Sequence, residues 1–214
     1  MIGPEEFLIG STRVTVLPVI KGLRSEVETV QKAFDEVGPD KVAVSLSKEE
    51  VHGLRNIPDD FEPLLTRYDE IYADGLSRFG EVASPPPCYV AAIEIADHNG
   101  VPVVPVDIDE NSYTELYCSA VSGGMLFMHS TRTWFLRRRH FKASNAQEFV
   151  LAWDKAVNSM EGFRIIEGKR TESIAKGIVA AAKDTGRMLA VVELERSRQV
   201  CSLLHERLKG TAKE

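Results

Sequence analysis

The order of apolar and polar positions divides the chain into alternating strand and helix patterns. Glu6–Ile9 and Val14–Leu17 are short apolar runs broken by GSTR, which suits one interrupted strand or a hairpin. From Leu23 to Val37 the residues Leu23, Val27, Val30 and Phe34 recur at helical spacing, and Gly38-Pro39-Asp40 ends the pattern. Lys41–Leu46 reads as a strand. Ser47 then caps a helix over Lys48–Arg55, with Glu50 completing a capping box. A weaker helical pattern covers Phe61–Phe79, and Pro85-Pro86-Pro87 sets up the first turn of a helix beginning near Cys88.

The segment Ala91–Asp109 carries the clearest local signal. Ala92, Ile95 and Ala96 recur at helical spacing, and Gly100 supplies the left-handed conformation that closes a helix. Val101–Val106 is nearly all apolar, as a strand covered on both faces requires. Beyond it the pattern predicts a helix over Tyr113–Val121, broken by Gly123-Gly124. Met125–Lys142 fits no single period. Helices follow over Ser144–Met160, with Ser144 as its cap, and over Thr171–Thr185. Arg187–Val192 is the last strand and Arg196–Leu208 the closing helix. This alternation predicts the α/β class, with a central mixed or mostly parallel sheet flanked by helices on both faces. The length suits a single domain over residues 1–214.

Composition narrows the function classes only slightly. With 43% hydrophobic and 27% charged residues the chain is an ordinary globular sequence. A net charge of −6 argues against attraction to nucleic acid or an anionic membrane surface. No apolar run approaches the roughly 20 residues of a membrane span. The start MIGPEEF is too short and acidic for a secretory signal. Cys88, Cys118 and Cys201 form no CxxC pair and point to a reducing, cytoplasmic compartment.

Candidate chemistry follows from position. In open α/β sheets ligands gather outside the carboxyl ends of strands, which is where Asp107 and Asp109 fall. Two residues apart on a strand, they point to the same side and suit acid–base work or a cation; DID equally suits a turn and a helix cap. Cys88, at a helix N-terminus, has the setting that lowers a thiol pKa, against the more ordinary role of a buried structural cysteine. His52, His98, His129, His140 and His205 are scattered and form no metal-ligand spacing. The run Arg132–Lys142 interleaves Trp134, Phe135 and Phe141 with basic residues. It suits gripping phosphates and stacking on bases, or more simply a segment whose aromatics face the core and whose arginines face water.

Several strings also stand in a familiar order: LIGSTR, a helix, GPDKVAVSL, then PPCYVAAIEIADHNGVPVVPVDID, and late in the chain KRTESIAKGIVAAAKDTGRMLAVVELER. In this the chain resembles the TraB/PrgY family, related to the Tiki metalloproteases and the erythromycin-esterase/ChaN-like superfamily, from about Leu8 to Leu208. The resemblance implies an α/β fold and a metal-dependent hydrolase site, but the family's site motifs are degenerate here. Arg13 and Arg196 stand where its two histidines belong, and Glu193 replaces the glycine of the second motif. Ser45 and Cys88 stand in place of two glutamates, and Ile108 in place of an arginine; Asp107, Asp109 and Arg170 survive.

Arginine stays protonated and offers only donors, so it cannot ligate a divalent metal. The expectation is therefore no metal and no cofactor. Arg13 and Arg196, brought near Asp107, Asp109 and Glu193, would form an ion-pair staple or a site for a small anionic ligand. The reading favoured is a non-catalytic TraB-like module that binds, regulates or forms homo-oligomers, with itself or a protein or peptide as partner and with no membrane or nucleic acid. The alternative is a hydrolase with a rearranged site: a cation held by Asp107, Asp109, Glu193 and Glu195, or an anionic substrate held by Arg13 and Arg196.

Overall fold

Alternating side chains give the parallel strands two apolar faces, and these decide the layers. The computed structural model describes residues 2–58, 61–139 and 141–211. In β2 (Thr12–Val19), Val14 and Val16 pack to one side of the sheet and Leu17 and Val19 to the other. In β5 (Arg187–Glu193), Met188, Ala190 and Val192 alternate in the same way with Leu189 and Val191. The five-stranded sheet runs β1-β2-β5-β3-β4, with β1 (Glu5–Ile9) antiparallel at one edge and the other four strands parallel. The fold is α/β, with helices on both faces of a mixed sheet, as the alternation predicts.

On one face α1 (Glu26–Val37) and α4 (Pro87–His98) cover the sheet, with Val51 of α2 (Lys48–Arg55) beside them. On the other lie α8 (Glu161–Ala181) and α9 (Leu194–Thr211). A third apolar cluster joins Ile20 and Leu194, which follow β2 and β5, to α3 (Arg67–Leu76) and α7 (Ala146–Val157). These last helices therefore lie beyond the carboxyl ends of two central strands.

Local chemistry explains most boundaries. Ser47 and Glu50 form the capping box expected at α2. Gly100, at φ +67°, follows α4 in the left-handed conformation, and the Val101 N–H donates to the Ala96 carbonyl. GSTR makes the chain turn back, so the first two runs are a hairpin.

Other expectations are corrected. The strand expected over Val101–Val106 shrinks to β4 (Val103–Pro105), half-buried at the sheet edge and paired only with β3 (Lys41–Val44). An apolar run alone does not separate a central strand from an edge strand with a helix over it. Gly123-Gly124 does not break a helix after α5 (Glu110–Ala120). It opens α6 (Gly123–Arg138), where the Ser122 hydroxyl accepts from the Met125 N–H. The cap of α7 is Asn145, not Ser144, and α8 starts at Glu161 rather than Thr171, its first half carrying charged residues among only a few apolar ones.

Candidate functional site at the strand ends

Four parallel strands end on one side of the sheet, and each delivers a polar group there. Lys21 follows β2, Glu193 ends β5, Ser45 follows β3 and Asp107 follows β4. The first turn of α9 adds Glu195 and Arg196, and α8 adds Glu167 and Arg170 one helical turn apart.

These groups form a connected ion-pair network. Arg196 Nη1 lies 2.9 Å from Glu193 Oε1, and its Nη2 donates to Glu167. Lys21 Nζ lies 3.4 Å from Glu193 and 3.7 Å from Glu195. Arg170 donates through Nε (3.0 Å) and Nη2 to Asp107 Oδ2. The Asp107 and Glu193 side chains are 1% and 2% exposed, and that of Arg196 is 7% exposed. Isolated charges at that depth would be very costly, and pairing is what makes them tolerable.

Glu193 is the hub. Ser45 Oγ donates to its Oε2 at 2.7 Å and lies 2.7 Å from Tyr89 Oη, so Tyr89 donates to Ser45 in turn. Burial alone would raise the Glu193 pKa, but Arg196, Lys21 and Arg170 outweigh it and hold the carboxyl well below the usual range. Glu195 goes the other way: burial and the Glu193 charge raise it, against Lys21 and Arg196. Lys21 and Arg196 are both raised, because their carboxylate partners overcome desolvation.

Above this floor opens a cavity of about 1090 Å³. Lys21, Glu195 and Arg196 line its base; Tyr68, Tyr72 and Ala73 of α3 and Trp153, Asp154 and Asn158 of α7 and its end line its walls. Asp154 accepts from Asn158 Nδ2 at 2.8 Å, and burial raises its pKa. Glu195 Oε2 and Arg196 Nε are buried without a hydrogen-bond partner among the described residues. Among the described residues no group of three or more His, Cys, Asp or Glu is arranged to hold a metal ion.

The chain matches no protein-family model, and no curated protein is significantly similar to it.

The expected site residues divide sharply. Arg196, Glu193, Asp107 and Arg170 come together. Arg13 does not: it is exposed at the start of β2, paired in register with Arg187. Val19, where β2 ends, is six residues away, about 20 Å along a strand. The second guanidinium of the network is that of Arg170. Asp109 is half-buried and caps α5 by accepting from the Ser112 N–H, which lowers its pKa. Asp107 and Asp109 do not share a side, because β4 ends at Pro105 and strand alternation no longer holds. Cys88 is fully buried, and burial raises its thiol pKa instead of the helix terminus lowering it.

The basic run is likewise resolved in part. Leu136 and Phe141 are buried, Phe135 is exposed, Arg132 donates to Ser159 Oγ, and the Arg139 guanidinium lies over the Phe141 ring. His140 and the Trp134 side chain fall outside the described residues. His129 stacks between Tyr68 and Phe163, and burial lowers its pKa. No described helix is long and apolar enough to cross a membrane.

Sequence reasoning missed Lys21, Glu167 and the cavity walls. Lys21 had a signal, a polar residue directly after an apolar strand, the same rule that singled out Asp107. Glu167 had only its helical spacing to Arg170, and Trp153 and Tyr72 had none.

Proposed function

We propose that this chain is a TraB-like binding domain whose strand-end site has exchanged a hydrolase metal centre for an ion-pair floor beneath a small-molecule cavity. The observation that carries this reading is the aromatic-walled cavity of about 1090 Å³ seated on Lys21, Glu195 and Arg196. Its size matches that of cavities that enclose organic ligands, and it lies where open α/β sheets bind them.

The charge pattern supports the same reading. Lys21, Arg170 and Arg196 bring three cations to the strand ends and already engage the carboxylates that a divalent metal would need. Ser45 and Cys88, which stand where the family's glutamates belong, are engaged in packing and hydrogen bonding. The two arginines are also not free to grip a phosphate as a pair, since Asp107, Glu193 and Glu167 already occupy their forks.

A ligand-observed NMR screen of small aromatic and aliphatic fragments tests the proposal. Binders are expected with the native chain and lost in Ala73→Trp, which fills the cavity from α3. Binding unchanged by that substitution would refute the cavity as the site. Stoichiometric divalent metal retained through purification would favour the hydrolase reading instead.

A further inference from the structure

We infer that the cavity takes a zwitterion with a large apolar body, such as an α-amino acid with an aromatic side chain. This rests on the binding-domain reading above and names its ligand class. Two neighbouring residues that line the cavity floor each hold a buried polar atom without a hydrogen-bond partner among the described residues. Arg196, whose side chain is 7% exposed, leaves Nε without an acceptor, and its neighbour Glu195 leaves Oε2 without a donor. Both residues line the cavity, so one ligand carrying an acceptor and a donor close together satisfies both.

Charge separates the two requirements in space. Lys21 and Arg196 offer N–H donors to a carboxylate, while Glu195 and Asp154 offer oxygens to an ammonium. A ligand with a single charge matches half of this floor and leaves the other half unpaired. A zwitterion matches both and adds no net charge to a network of three cations and four carboxylates. The walls select the rest of the molecule. Tyr68, Tyr72 and Trp153 present ring surface with Val150 and Val157 beside them, which favours an aromatic or long aliphatic side chain over a polar one.

Calorimetric titration of the full chain with L-tryptophan, tryptamine and indole-3-propionate tests this, because the three share one ring and differ in charge. L-tryptophan is expected to bind at least about tenfold tighter than either singly charged analogue. Glu195→Gln should weaken L-tryptophan and tryptamine about tenfold and leave indole-3-propionate unchanged. Asp154→Asn, on a different helix, should act in the same direction if Glu195→Gln disturbs folding. Equal binding of tryptamine or indole-3-propionate would overturn the zwitterion while leaving the cavity reading intact. So would silence of all three probes when the fragment screen finds binders, whereas silence in both experiments would remove both conclusions.

Discussion

Deleting the carboxylate of Glu193 leaves buried Arg196 and half-buried Lys21 without a counter-charge that they share. Breaking a buried pair from one side is the costly direction, so Glu193→Gln should lower stability by about 3–5 kcal/mol in urea denaturation. The acid side follows from the same residue. Its folded pKa lies below the ordinary value of 4.5, so its contribution is present above that pH and fades as pH falls through the folded value. The acid-side loss of stability should therefore be shallower in Glu193→Gln than in the native chain. Glu26 gives the opposite sign. Burial raises it from 4.5 to about 7, against a hydrogen bond from the Ile20 backbone, so the folded state holds its proton longer than the unfolded one. Stability should fall as pH rises between those values, and Glu26→Gln should flatten the slope over the same range, from 4.5 to about 7. Cysteine reactivity is decided by the same balance of burial and charge. Cys118 is exposed, whereas burial raises the thiols of Cys88 and, to about 12, Cys201. An aromatic disulfide reagent should titrate Cys118 alone in the native chain and all three after unfolding.

At the scale of elements, two of the three glycines of α8 have opposite roles. A Cβ at Gly177 would sit 2.7 Å from Val106 Cβ and 2.9 Å from the Val106 carbonyl, so this glycine lets the helix close onto the chain leaving β4. That approach brings Arg170, on the same helix, to Asp107, the next residue after Val106. At Gly168 a Cβ meets nothing within 4 Å. Gly177→Ala should therefore cost about 1–3 kcal/mol by overpacking, and Gly168→Ala should gain about 0.5–1 kcal/mol from helix propensity. Thermal melts of the two variants check both signs within one helix. If both proved stabilising, the close contact of α8 with Val106 would be refuted.

The whole molecule places two unlike layers at the strand ends. The sheet and its flanking helices present charges, and α3 and α7 cover them with rings from Tyr68, Tyr72 and Trp153. A polar floor under an apolar roof suits recognition by a few fixed hydrogen bonds within an otherwise apolar enclosure. Ligand binding should then stabilise the folded chain by mass action. A fragment that saturates the native protein at about 100 times its Kd should add about 2.7 kcal/mol, and it should add nothing to Ala73→Trp. A urea titration with and without that fragment measures this.

Local residue chemistry by itself determined most of the elements and their order, but not α6 or the first half of α8. Period and capping are properties of neighbouring positions, so the Ser47–Glu50 box, the Gly100 stop and the alternating faces of β2 and β5 are legible before any fold is known. It also brought Asp107 into view, because a strand end is a local position, whereas Glu193, Arg170 and Arg196 came into view through the resemblance in motif order. Tertiary structure alone decided the partners. Arg13 and Arg196 both flank strands in the sequence, yet Arg13 begins β2 and Arg196 follows the end of β5, so the parallel pairing of those strands puts them at opposite ends of the sheet. Asp107 and Asp109, two residues apart, separate because the strand ends before either. The cavity walls come from α3 and α7, far from the strands in sequence, and only packing across the molecule brings their rings over the charged floor.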